Sequence, residues 1–240
     1  MPATAGPEAP LPHETATCEP AILYFGTPVA LISTLNPDGT ANLAPMSSIF
    51  WLGWRCVLGL AASSATTRNL IANRQCVINL PSVDQVAAVD RLALTTGSET
   101  VPQSKVVRGY RHEASKFERA GLTPVPAETV APPRAGECPV QLEAVIEHHR
   151  PLSEDDPIVG RFTVVLEARV TRVHAARSIM MPGQENRIDP TRWRPLMMSF
   201  QEFFGLTPAT VHPSTLGTVP EKLYRSPDVD RARADAGSII

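Results

Sequence analysis

No short stretch constrains the chain more than Asn36-Pro37-Asp38-Gly39. Proline presets φ for a tight turn, and glycine tolerates the positive φ that such turns require. On one side lies Val29 to Leu35, rich in β-branched and aliphatic residues; on the other the chain returns as TANLAPMSSIFWLG. Two strand-forming runs on either side of a turn signal read as an antiparallel hairpin. The return strand is unusual. Ala44, Pro45, Met46, Ser47 and Ser48 stand where a half-buried strand carries larger side chains. Two readings are open for this stretch. It is an edge strand with a bulge, where proline is tolerated, or it is a wall of exposed backbone for a flat ligand, with the hydroxyls of Ser47 and Ser48 beside it.

The rest of the chain continues in the same vein. WRCVLGLAA reads as a third strand. In SSATTRNLIANRQCVINLPS, Ser64 or Thr66 caps a short helix reaching about Asn73, and a strand follows from Cys76 to Leu80. SVDQVAAVDRLALTT carries Val83, Val86, Val89 and Leu92 at helical spacing. The region from about Gly97 to Gly136 is loop-rich, with one helical piece around His112 to Ala120. CPVQLEAVIEHHRPL and GRFTVVLEARVTRVHA are strands long enough to pair. From Arg187 onward come proline punctuation, MMSFQEFFG and a polar tail. Successive strands with few helices predict a mainly β chain, an antiparallel barrel with helical decoration. The expected organisation is an N-terminal arm (1–19), one core domain (20–205) and a C-terminal arm (206–240).

Composition removes several classes of function. The formal net charge is −2 with no basic stripe, which argues against nucleic acid. No window approaches the roughly 18 apolar residues of a membrane span, and the start lacks a signal-peptide pattern; a cytoplasmic protein is expected. Cys18, Cys56, Cys76 and Cys138 form no close-spaced pair, so they read as small buried hydrophobes and no metal site is expected. Adjacent strand residues point to opposite faces, so His148-His149 reads as a surface turn. No serine–histidine–aspartate arrangement can be assembled. Trp51, Trp54 and Trp193 read as packing or dimer contacts, and Tyr110, Arg111 and His112 as an exposed turn that could touch a nicotinamide.

The densest polar constellation is SSATTRN, residues 63 to 69, at a strand-to-helix junction. A helix start offers unpaired N–H groups and partial positive charge, so an ordinary cap and a phosphate site are both consistent with it. The order of motifs then narrows the choice. An NPDG hairpin, an N-x-A-P-x-S-S strand, a third strand, S-x-T-x-x-N-L and VINLPS follow in sequence. After them come KFERAGLTPVP, ECPVQLEA, GRFTVVLEARVTRVHA and RIDPTRWRPL.

This series resembles the flavin reductase-like family over about residues 20 to 205. The resemblance implies an FMN-binding split antiparallel β-barrel of Greek-key type. It also implies a homodimer with the flavin near the subunit interface. It places Asn42, Leu43, Ala44 and Pro45 along the isoalloxazine, with Ser47 and Ser48 extending that wall. Ser64, Thr66 and Asn69 would hold the ribityl chain and phosphate, with Arg68 assisting. The implied reaction draws hydride from NADH or NADPH and passes electrons to free flavin, oxygen or a partner oxygenase. No acid–base residue is nominated, because the cofactor carries the chemistry. Other readings on the same fold are a flavoenzyme acting on a small organic substrate, its pocket formed by the stretch from about Gly97 to Gly136 and the C-terminal arm, and a non-enzymatic electron carrier. MMSFQEFF reads as an apolar docking segment or the substrate side of the flavin. One departure stands out: family members often carry a lysine or arginine just before the phosphate-binding threonine, whereas here the stretch is AASSAT. Arg74 or a residue of a partner chain is then the expected substitute.

Overall fold

The computed structural model describes residues 13–158, 160–207 and 209–237. Residues 1–12 of the N-terminal arm, and 208 and 238–240 of the C-terminal arm, lie outside the described residues. The first half of the chain contains β1 (Phe25–Pro28), β2 (Ala30–Leu35), β3 (Ala41–Met46), β4 (Ile49–Leu52), β5 (Arg55–Ala61), α1 (Ala65–Asn73) and β6 (Gln75–Leu80). A 3-10 turn at Val83–Gln85 leads into α2 (Val86–Asp90), followed by β7 (Thr95–Thr96), α3 (Gln103–Val106), β8 (Arg111–His112) and α4 (Lys116–Ala120). Then come β9 (Pro124–Val125), β10 (Arg134–Ala135), β11 (Val140–Pro151), β12 (Thr163–Ala175), β13 (Leu196–Ser199), β14 (Glu202–Gly205) and α5 (Asp228–Gly237).

The main sheet has seven strands in the order β3-β2-β6-β11-β12-β5-β4. Its two edge strands, β3 and β4, are therefore neighbours in sequence, separated only by Ser47 and Ser48. Two residues span at most about 10 Å from one strand end to the next. The sheet must accordingly curl until its edges converge at that corner, where Gly59 N donates to Ser48 O at 2.9 Å. The result is an antiparallel barrel split between β3 and β4. The expected hairpin opens it: Asn36 N donates to Thr40 O at 2.8 Å, and Gly39 sits at φ 82°. Pro45 lies opposite Leu31 on the edge strand β3, where a missing N–H breaks no ladder on the outer side.

Strand alternation divides the apolar side chains into two cores. Ala30 and Ile32 join Cys56, Leu58, Ile78, Leu142, Leu166 and Ala168 on the inner face. Val29, Leu31 and Leu43 point the other way, against Val89, Leu92, Phe117, Leu122 and Leu196. Strand β2 is thus buried on both faces, which is why VALIS reads as a continuous apolar run rather than an alternating one. The long strands β11 and β12 pair as expected, with register shifts after Glu143 and after Ile146 that bend the sheet.

Two expectations change. The helix expected over SVDQVAAVDRLALTT is a 3-10 turn and then a five-residue helix, because Ser82 and Gln85 form a capping box that tightens its start. The polar tail contains α5, which packs on β12. Asp228 pairs with Arg55 at 2.9 Å, Asp235 with Arg169 at 3.0 Å, and Ala232 is buried. Ion pairs rather than an apolar stripe hold this helix, so hydrophobic periodicity gives no sign of it. Among the described residues, no helix is long and apolar enough to cross a membrane.

Candidate functional site

A cavity of about 530 Å³ lies where the outer edge of β3, the start of α1, the 92–97 loop and the β13–β14 hairpin converge. That volume falls in the usual range for a small-molecule or cofactor site. Ala44, Pro45 and Met46 form one wall, and Ser47, Ser48 and Gly59 continue it around the barrel corner. Met46 apart, these side chains are short or ring-locked, so the backbone of β3 lies close to the cavity. Met198, Gln201 and Phe203 from β13–β14 face it across the mouth, with Tyr24, whose hydroxyl lies 3.0 Å from Ser48 Oγ.

The polar end is built around Asn42 and α1. Asn42 is buried, and its Nδ2 donates to Thr34 Oγ1 and to Thr66 Oγ1, each at 3.1 Å. Asn69 Nδ2 donates to the same Thr34 hydroxyl at 3.0 Å and to Asn36 Oδ1 at 3.0 Å. One threonine of β2 thereby ties the helix to the hairpin. Ser64 is the N-cap, its Oγ accepting from Thr67 N at 3.0 Å. Its hydroxyl is also bonded to that of Thr67 at 2.7 Å, and so is occupied by the cap. Thr66 differs. It is 4 % exposed, its oxygen accepts from Asn42, and its own proton has no acceptor among the described residues. The opening turn of a helix leaves its N–H groups without intrahelical partners, and here that turn lines the cavity through Ala65 and Thr66.

Gly97 closes this end. A Cβ at Gly97 would stand 2.7 Å from Asn42 Oδ1 and 3.3 Å from Ala65 Cβ, so only glycine fits. Beside it the lysines enter. Lys116 is 2 % exposed, lines the cavity and bonds the Thr95 hydroxyl. Burial pushes its ammonium down to about 8, with Glu113 opposing the shift and Lys105 adding to it. Lys105 Nζ donates to Thr96 Oγ1 at 3.3 Å and lies 5.5 Å from the centre of the Tyr110 ring. Arg108 lies 5.5 Å from the same ring. Among the described residues the lining holds no carboxylate and no histidine.

The structure distributes the sequence-predicted residues as follows. Asn42, Ala44, Pro45, Ser47, Ser48, Ser64 and Thr66 line the cavity. Leu43 alternates to the opposite face and is buried in the outer core. Asn69 sits behind the site as an anchor. Arg68 flanks it, donating to Ser63 O at 2.9 Å and Ser98 Oγ at 3.0 Å. Arg74 caps the far end of α1 at φ 58°, with its guanidinium on the Glu147 carbonyl at 3.2 Å, so it serves the other end of the helix. Tyr110 lines the cavity, whereas Arg111 and His112 are exposed in β8. Trp51, Trp54 and Trp193 pack against the inner core.

Sequence reasoning missed Lys105, Arg108, Lys116 and Gly97. For Lys116 a signal exists: it shares a helical face with Ala120, four residues on, and Ala120 is wholly buried. A lysine on the buried side of a short helix marks a site that needs an amine.

Comparison with known proteins agrees with this geometry. The family model described as flavin reductase like domain matches residues 22–205. The uncharacterized protein YdfE of Bacillus subtilis is 40% identical over 188 residues, covering 78% of this chain and 87% of that protein. Flavoredoxin of Desulfovibrio vulgaris (Miyazaki F) superposes with a TM-score of 0.66 at 18% identity, covering 86% of this chain and 100% of that one. Nitrilotriacetate monooxygenase component B from Bacillus cereus gives 0.62 at 22%, covering 76% and 85%. At these identities the structures carry the fold alone; a third, from Shewanella frigidimarina (TM-score 0.61 at 17% identity, covering 79% of this chain and 87% of that one), is described as having a split barrel domain, as the sequence led one to expect. The family model covers most of the chain, strands and cavity walls alike. The chain belongs to the flavin reductase-like family.

Proposed function

We propose that the cavity binds FMN and that the chain is an NAD(P)H-dependent flavin reductase. The observation that carries this reading is the union of a flat backbone wall at Ala44 and Pro45 with the free proton of the Thr66 hydroxyl and the start of α1 at one end. A planar ring lies on the wall without meeting a branched side chain. Thr66 and the first turn of α1 donate to the phosphate, and Asn42 and Gly97 fix where that turn sits. Lys116, buried with one neutral hydroxyl as its partner, has donors left for the electron-rich edge of the ring. When bound, FMN supplies the two-electron chemistry, accepting hydride from NADH or NADPH and passing electrons to free flavin, oxygen or a partner oxygenase. The last of these acceptors is suggested by the likeness to a monooxygenase component B.

A homodimer fits the same picture. Leu23, Phe25, Phe200 and Phe204 are exposed apolar side chains near the mouth, and Phe25 and Phe200 meet edge to face at 4.9 Å. Solvent-exposed clusters of this kind mark interaction sites. A second reading, a flavoenzyme that reduces a small organic molecule directly, is favoured by the apolar end formed by Met198, Phe203 and Tyr24, which leaves room beside the ring wall. The test is an absorbance spectrum with added FMN, followed by anaerobic NADH and NADPH. A bound flavin that bleaches supports the reductase and names the donor. Bound flavin that stays oxidised rules out nicotinamide as donor, and no bound flavin overturns the whole reading.

A further inference from the structure

The segment between β7 and β8 concentrates positive charge that nothing else in the fold uses. Lys105 is half-buried and Arg108 exposed, and Tyr110 lies 5.5 Å from each. Their other partners are neutral: Thr96 Oγ1 for Lys105, and the Ser104 carbonyl for Arg108 at 2.8 Å. Arg68, folded back along α1 onto Ser63 O, is equally without a carboxylate. None of the three is in an ion pair among the described residues. They are close enough that the charges of Arg108 and Arg68, after burial, hold the Lys105 ammonium below its ordinary range. Gathering like charges costs free energy unless an anion offsets them. The cavity lining provides none, and the Thr66 proton at the same end still lacks an acceptor. An anionic group on a ligand would offset the cations and accept the Thr66 proton together.

We propose that Lys105 and Arg108, with Arg68, form the phosphate-recognition end of the cavity, replacing the basic residue that AASSAT lacks before Thr66. This rests on the FMN reading and adds to it the source of the compensating charge: the segment between β7 and β8, with Arg68 of α1 beside it. Tyr110 holds both cations in place by stacking, so no acidic residue is needed to position them.

The experiment titrates apoprotein with FMN and with riboflavin, which lacks the phosphate, and follows flavin fluorescence. Wild type and the variant Lys105→Gln/Arg108→Gln are compared, with Arg108→Gln alone as a surface substitution that spares the fold. Wild type should prefer FMN. The double variant should lose about tenfold to a hundredfold in FMN affinity, the range for hydrogen bonds to charged groups, while riboflavin affinity is unchanged and so reports an intact fold. The salt dependence of FMN binding should flatten in the variant. Equal losses for both flavins, or no loss for either, overturn the proposal. So does an unchanged FMN preference with weakened use of NADPH over NADH, which would assign the cations to the 2′-phosphate of the donor. If wild type binds neither flavin, the FMN reading falls first and this proposal with it. If wild type binds both equally, only the proposal falls.

Discussion

Lys116 shows how a single residue sets stability against binding. Its amine ionises at about 8 when buried, against 10.5 for a free lysine. Below pH 8 both folded and unfolded chains carry the proton, so burying the charge destabilises the fold. That penalty is relieved as pH rises from about 8 to 10.5, where the unfolded chain binds more protons. Lys116→Met should therefore raise the melting temperature at neutral pH, by an amount worth at most about 3 kcal/mol. The gain should shrink above about pH 10, and flavin affinity should fall in the same protein. Calorimetry across pH with a parallel flavin titration checks both; a variant that is less stable at pH 7 contradicts the account. Gly97 makes the complementary case. Gly97→Ala would push a methyl against the doubly hydrogen-bonded Asn42. It should cost about 1–3 kcal/mol and weaken FMN binding, as read by urea denaturation and titration. Asn42, Pro45 and Thr66 were legible because residue type and spacing place them on a hairpin and a helix start. Lys105 and Arg108 were not, because they reach the cavity from a segment with neither periodicity nor turn chemistry to orient it.

Among the elements, the clearest piece of engineering is the clasp on β11. Glu143 is fully buried and accepts from Glu128 N at 2.8 Å and Thr129 Oγ1 at 2.6 Å, with His174 Nε2 at 2.7 Å. These contacts bind the 128–129 loop to β11 and β12. Burial alone would raise the carboxyl, but the bonds from His174, Thr129 and Glu128 prevail and hold it down at about 2, against an ordinary 4.5. A carboxylate so depressed contributes its full stability above about pH 4.5 and loses it as pH falls toward 2. Wild type should lose about 3 kcal/mol over that window. Glu143→Gln should be less stable at pH 7 and show a flatter acid limb in denaturant melts; an unchanged acid limb would mean the carboxylate is not the group responsible. The strands carrying this clasp were recognisable by length and β-branched content. The loop it fastens was not, since buried polar networks leave no periodic trace.

At the scale of the whole molecule, the two ends of the chain differ in what they do. The C-terminal helix α5 is fastened to β5 by Arg55 and to β12 by Arg169, which also pair with Glu147 at 2.5 and 2.7 Å. Ending the chain before Pro227 leaves both arginines their Glu147 partner. It should cost about 1.5–3 kcal/mol, the range for a hydrogen bond to a charged group, and leave flavin affinity unchanged, because no described residue of α5 lines the cavity. The mouth of the cavity is the opposite case. Phe25→Glu with Phe204→Glu should convert a dimer to a monomer in size-exclusion chromatography with light scattering; a wild-type monomer would remove the apolar mouth as an interface. The barrel itself was legible from the order of strands and turns. Its curl followed from a detail of topology, two edge strands separated by two serines. The same corner bears on how the protein survives when its cavity is empty. An exposed edge strand is a template for pairing with another chain, and natural sheets blunt such edges with proline. Pro45 has no N–H to offer and is the penultimate residue of β3. The residue that keeps the cavity wall shallow also denies that edge to an incoming strand, so the open cavity is not a template for aggregation.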